Sequence, residues 1–357
     1  MSVLVIAEAG VNHNGSLERA RQLIDAAAAA RADAVKFQTF RASAIVSRHA
    51  RKAAYQERTT GTDESQLDMI RRLELSEADH RALIAHAQGA GIEFLSTPFD
   101  EQSVDMLVND LKLRTLKIAS GEITNAPLLL RIAQSGCRIV LSTGMSTLVD
   151  VEAALGVLAF GMLSPAAPPS PEAFKQAFAS AAGAALLRER VTLLHCTTEY
   201  PAAIDEVNLR AMETMEKTFG VPVGYSDHTE GIHVAVAAVA RGACAIEKHF
   251  TLSRALPGPD HKASLEPGEL TAMVAAIRDV EAALGDGVKQ PSPTETLNRA
   301  VVRKSLVAAR DIAAGETLSA DNLTCKRPGD GISPMHYWEW LGRPARRAYA
   351  ADELIEP

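Results

Sequence analysis

Eight short apolar runs recur along the chain, and each closes on polar or charged residues. They read VLVIAEAG (3–10), AVKFQTF (34–40), IEFLSTPF (92–99), TLKIASGE (115–122), RIVLSTGM (138–145), VTLLHCTTEYP (191–201), VPVGYSDHT (221–229) and CAIEKHFT (244–251). Runs this short and this rich in Val, Ile and Leu predict buried strands. The segments between them are Ala-rich with helical periodicity, such as SLERARQLIDAAAAARA and SEADHRALIAHAQGAG. The first opens on a Ser suited to N-capping, and several end in Gly, as helices do. Strand and helix alternate eight times over roughly 280 residues, which predicts an α/β fold, a (β/α)₈ TIM barrel, rather than an open doubly wound sheet. No G-x-G-x-x-G follows the first run, which counts against a dinucleotide fold.

Two interruptions depart from the alternation. Residues 41–75 read as a long polar loop after the second strand, and SPAAPPSPEAF (164–174) as a proline-rich insertion before the sixth. Long insertions of this kind are usually functional lids or surface segments. The barrel is predicted to occupy 1–285 and to close with the helix GELTAMVAAIRDVEAALG. DGVKQPSPTET (286–296) reads as a linker, and 297–357 as a separate small β-rich domain. That domain opens on an alternating strand, VVRKSLVAAR, and contains an aromatic patch, HYWEWLG. About 60 residues make a marginal core, so it is expected to pack on the barrel or on another subunit.

Charge and composition narrow the partners. The formal net charge is -7, and no run of Lys and Arg forms a stripe that could neutralise a phosphate backbone, so nucleic acid is not an expected partner. No apolar run approaches the ~20 residues of a membrane span. The N-terminus MSVLVIAEAG lacks a basic region and is interrupted by Glu8, so a cytoplasmic protein is expected. The four cysteines, Cys137, Cys196, Cys244 and Cys325, form no C-x-x-C pair and read as buried free thiols.

In such a barrel the site is built at the C-terminal strand ends. Here those ends carry Glu8, Lys36 with Gln38, Ser96 with Thr97, Lys117 with Ser120, Ser142 with Thr143, Thr198, Ser226 with His228, and Glu247 with His249. Singly, a strand-end Ser or Thr caps the next helix and a lone Lys snorkels. Eight polar endings around one mouth point instead to a site. An unpaired ammonium inside an apolar strand is costly, so Lys36 and Lys117 call for an anion. With hydroxyls from Ser96, Thr97, Ser120, Ser142 and Ser226, that anion could be phosphate, carboxylate or both. The rival reading pairs the lysines with Glu8 or another internal carboxylate, and is weighed as more acceptable for one lysine than for both. His228 and His249 close consecutive runs and could reach one point; two His without Cys suit Mn²⁺ or a similar divalent ion (Mg²⁺ or Co²⁺ being possible) better than structural zinc. His13, His195, His233 and His261 are rival histidines.

The motifs AEAGVNHNG, VKFQTF, STPFD, LKIASGE, LSTGM, HCTTEYP, GYSDHT, IEKHFT and GPDHKASLEP resemble, in order and spacing, those of the N-acetylneuraminate (sialic acid) synthase family, which includes legionaminate and pseudaminate synthases. VVRKSLVAARDIAAGETLSADNLTCKRPGDGISP is similar to that family's antifreeze-like (SAF) domain. The resemblance implies condensation of phosphoenolpyruvate with the open-chain aldehyde of a mannosamine-type sugar, giving a nine-carbon 2-keto acid and phosphate. It implies that His228 and His249 hold the metal. Lys36, Thr97, Lys117, Ser120, Ser142 and Ser226 would hold phosphoenolpyruvate, while Glu8, Gln38, Tyr200 and Asp260 would face the sugar or a metal-bound water. Arg327 would reach the sugar's N-acyl group from the small domain of the other subunit in a domain-swapped homodimer. Thr197 and Thr198 stand where some members carry Asn, which leaves the phosphate contact of Thr198 open. Alternatives are a Kdo-phosphate or DAHP-type synthase with a phosphorylated acceptor, and a non-catalytic carbohydrate-binding SAF protein.

Overall fold

The computed structural model describes residues 2–47, 65–164 and 166–357. The eight runs form strands β1 Leu4–Gly10, β2 Ala34–Thr39, β3 Glu93–Pro98, β4 Thr115–Ile118, β5 Arg138–Ser142, β6 Val191–Cys196, β7 Val223–Asp227 and β8 Ala245–His249. They close into one parallel barrel in sequence order, β8 pairing with β1 through Leu4↔Ala245 to Glu8↔His249. The polar ends of the runs fall beyond several strands, because the C-terminal turns leave the ladder to build the rim.

Successive strand residues point to opposite faces, so each strand divides its sequence between two environments. Outward residues such as Val5, Val35, Phe37, Phe94 and Leu116 join the large core under the helices. Inward residues at the N-terminal end are apolar: Ile6, Ala34 and Leu95 pack together, as do Val140, Leu194 and Ala245. Two residues further along the same faces the inward set turns polar. The barrel is thus plugged below and charged above.

Helix boundaries follow local chemistry. Ser16 caps Leu17–Ala29 by accepting from Arg19 N, and Ser76 with Asp79 forms a capping box on Glu77–Ala90, which stops at left-handed Gly91. The stretch read as a polar loop over 41–75 contains two short helices, Ala42–Ile45 and Gln66–Arg71; its middle, 48–64, lies outside the described residues. The proline-rich insertion is irregular up to Ser170 among the described residues and only then enters helix, with Pro171–Ala179 and Ala181–Arg190 each capped by a serine; Pro165 lies outside the described residues.

The chain divides into two compact units, Met1–Gly285 and Asp286–Pro357. In the second, an antiparallel pair, β9 Ser305–Ala308 and β10 Leu323–Lys326, packs Leu306, Ala308, Ile312, Leu318, Leu323, Tyr349 and Ile355 into a small core. The extended reading of VVRKSLVAAR fails at its start. Pro293–Val302 is helical, with Ser292 and Glu295 forming a capping box and Pro at the first turn, and only Ser305–Ala308 is strand. No described helix is long and apolar enough to cross a membrane.

Candidate active site

The inward polar residues converge on one cavity of about 330 Å³ at the strand ends. Its lining includes Glu8, Lys36, Gln38, Thr97, Lys117, Ser120, Ser142, Thr198, Tyr200, Ser226, His228, His249 and Asp260, together with Glu247. Arg327 lies in the second unit, where its Nε donates to Val302 O at 2.9 Å.

Two expectations change. Ser96 does not line the cavity: it is buried on the outer face, hydrogen-bonded to Thr39 Oγ1 at 2.6 Å and donating to Phe37 O at 3.3 Å. The alternation of β3 that turns Thr97 inward turns Ser96 outward. The lysines also differ from the weighing above, since both meet internal carboxylates. Lys36 Nζ is 2.5 Å from Glu8 Oε2 and 3.6 Å from Glu247 Oε2, and Lys117 Nζ donates to Glu247 Oε1 at 2.9 Å.

Glu247, which strand period marks only as a partner beside His249, is the centre of the net. It accepts from Lys117 and from Ser226 Oγ, the latter also at 2.9 Å. Burial works against its charge, yet Lys117 and Lys36 hold its carboxyl well below the usual range. Glu8 moves the other way, to about 7, because burial dominates and Glu247 repels it, against the pull of Lys36. Despite burial, Lys36 is held above its usual value by Glu247 and Glu8. The floor is therefore an ionic net in which Lys36 is held charged and Glu247 reaches both lysines. The signal for Glu247 was its position two residues before His249 on the same strand face.

Ser142 Oγ and His249 Nδ1 are buried without a hydrogen-bond partner among the described residues. Native interiors leave few such atoms, so orphans facing a cavity are groups available to a ligand. Gly144 keeps this corner open, since a Cβ there would collide with Thr198 Oγ1 and meet Ser120 Oγ.

The two imidazoles lie with centroids 5.7 Å apart, and the Tyr200 ring sits 4.2 Å from His228 and 5.5 Å from His249. His228 Nδ1 must donate to Thr197 O, at 2.6 Å, because a carbonyl only accepts; Nε2 then carries the lone pair. Burial pushes the His228 pKa down to about 4, and burial with repulsion from His228 and Lys36 holds His249 well below its usual value. Both rings are neutral at pH 7, as metal ligands must be. Among the described residues no group of three or more His, Cys, Asp or Glu is placed to hold a metal. The two imidazoles at the cavity mouth are the nitrogen donors that could hold a metal. Three of the rival histidines are engaged elsewhere, His195 with Val207 O, His261 with Thr251, and His13 with the backbone of Gly15, while His233 is exposed at the start of the helix His233–Ala240.

Comparison with known proteins gives a consistent picture. Residues 23–289 match the NeuB family and residues 303–357 the SAF domain. The chain is 53% identical over 352 residues to N,N'-diacetyllegionaminic acid synthase of Campylobacter jejuni, covering 99% of this chain and 98% of that protein. It is 46% identical to the synthase of the same name from Legionella pneumophila, covering 96% and 90%. A crystal structure of N-acetylneuraminic acid (sialic acid) synthetase from Leptospira borgpetersenii, in complex with citrate, matches with a TM-score of 0.67 at 32% identity, covering 84% of this chain and 90% of that one.

Proposed function

The chain belongs to the NeuB family, and on that premise we propose that it condenses phosphoenolpyruvate with an open-chain N-acyl mannosamine-type sugar to give a nonulosonic acid and phosphate. The observation that carries the reading is the one cavity in which two lysines and the orphaned Ser142 hydroxyl stand beside two histidines. The two diacetyllegionaminic acid synthases among its relatives favour 2,4-diacetamido-2,4,6-trideoxymannose over N-acetylmannosamine as acceptor.

In this reading Lys36 and Lys117, with Ser120, Ser142, Ser226, Thr97 and Thr198, orient the phosphate and carboxylate of phosphoenolpyruvate, mainly a positioning effect. A divalent ion, Mn²⁺ in preference to Mg²⁺ or Co²⁺, would be held by His228 and His249 and would supply Lewis-acid polarisation of the acceptor aldehyde. The enol carbon attacks the aldehyde carbon, and positive charge develops at the carbon bearing the phosphate ester. Water adds there, and the C–O bond to phosphate breaks. Asp260 is the better base for that water. Burial, its one cause of shift, raises its pKa to about 6, leaving a basic carboxylate at pH 7, whereas Glu8 is held by Lys36. Glu8, Gln38 and Tyr200 face the sugar, and Arg327 of a second chain in a domain-swapped homodimer reaches its N-acyl group. A cytoplasmic location belongs to the same proposal.

A phosphorylated acceptor would need another cation, and the described lining has no lysine or arginine beyond Lys36 and Lys117. The test is phosphate release from phosphoenolpyruvate with each amino sugar and Mn²⁺, with product identified by mass. Sugar-dependent release of a nine-carbon keto acid is expected. Binding of sugars without turnover of any would overturn the assignment.

A further inference from the structure

The cavity has two chemically unlike surfaces. Its floor, built by strand ends, carries the lysines, carboxylates and histidines. One flank is built by the chain leaving β2, and every described lining residue from 40 to 73 is apolar: Phe40, Ile45, Met69, Ile70 and Leu73. Phe99, just beyond β3, continues this surface and meets Phe40 edge to face at 6.2 Å. Phe40 and Leu73 are buried in a cluster with Val11, while Ile45, Ile70 and Phe99 pack against it only partly buried, with surface left toward the cavity.

This apolar flank lies past the C-terminal end of β2, further out than the ionic floor. The acceptor's aldehyde carbon must sit at the floor, beside phosphoenolpyruvate. An open-chain sugar then extends outward, and its distal carbons reach the flank. A hydroxyl brought there loses water without gaining a partner, whereas a methyl group is buried favourably.

We infer that Ile45, Ile70 and their apolar neighbours form a specificity wall that reads the distal end of the acceptor, selecting sugars with a methyl at C6 over those with a hydroxyl there. The inference rests on the synthase reading above and assigns the cause of its acceptor choice to named residues.

The experiment compares kcat/KM for 2,4-diacetamido-2,4,6-trideoxymannose and N-acetylmannosamine, with saturating phosphoenolpyruvate and Mn²⁺. The unsubstituted protein is expected to prefer the trideoxy sugar on the order of 100-fold, the scale on which apolar pockets discriminate. Ile70→Asn and, separately, Ile45→Asn should each cut that preference about 10-fold through the KM of the trideoxy sugar, leaving the KM of phosphoenolpyruvate within about twofold. Ile70→Leu should retain it. If Ile70→Asn does not fold, Ile45→Asn carries the same test from a separate helical turn. Asn variants that keep the original preference, or lose activity equally on both sugars, would show that the wall only pins this segment to the barrel and would overturn the inference. Absence of turnover with either sugar in the unsubstituted protein would sink the synthase reading and this inference with it.

Discussion

Asp260 is a carboxyl that burial alone pushes up to about 6. An unfolded Asp titrates near 3.9, so between about pH 4 and 6 the unfolded chain has released a proton that the native state still holds. Stability therefore falls as pH rises through that window. Asp260→Asn removes the penalty: the metal-free variant should match its parent at pH 4 and exceed it at pH 8 by about 1–3 kcal/mol in urea melts. The same substitution should lower kcat by roughly 10²–10⁴, as expected for loss of a general base. His249→Ala is different in kind, since the side chain leaves an orphaned nitrogen rather than a structural bond. It should keep the melting transition while reducing Mn²⁺-dependent phosphate release by more than about 100-fold. Normal turnover would remove His249 from the metal site. These roles were partly readable in sequence, because the strand period of two places Ser226 with His228 and Glu247 with His249 on inward faces. That Glu247 bridges both lysines was not readable, because β2, β4 and β8 meet only across the closed barrel.

At the scale of elements, the outward residues between those inward pairs tie β7 to β8. Lys248 Nζ donates to Asp227 Oδ2 at 2.8 Å and to Thr229 O at 2.5 Å, while Asp227 Oδ1 accepts from the backbone and hydroxyl of Thr229. Both side chains of the ion pair are fully buried. Removing one partner leaves an uncompensated buried charge, so Lys248→Met should cost about 3–5 kcal/mol by urea denaturation. Adding Asp227→Asn should recover part of that loss, and additive losses would show that the two charges are not coupled. Caps and period made the helices legible, as at Ser16 and Ser76. The exception is 301–302, where apolar alternation suggested strand but the Ser292 capping box and Pro293 start a helix upstream that runs through Val302. A local start signal there outweighed two residues of pattern.

For the whole molecule, the proposed exchange of small domains makes each site a joint product of two chains. Arg327→Ala and His249→Ala proteins, each poorly active alone, should complement on mixing and subunit exchange. Random pairing gives half mixed dimers with one intact site each, so about a quarter of full activity should return. No recovery, with mixed dimers shown by mass, would place Arg327 in its own chain's site or in none. By itself, the sequence determined the eight-fold alternation, the strand faces, the two-part chain and the polar residues at the mouth. These are local facts, fixed by side-chain period, capping chemistry and turn residues. Only the closed barrel decided which charges neutralise one another, that Ser96 turns away from the cavity while Glu247 centres its ionic net, and that an apolar wall faces the charged floor. Those depend on distances between strands and loops far apart in the chain, which ring closure sets and no local pattern records.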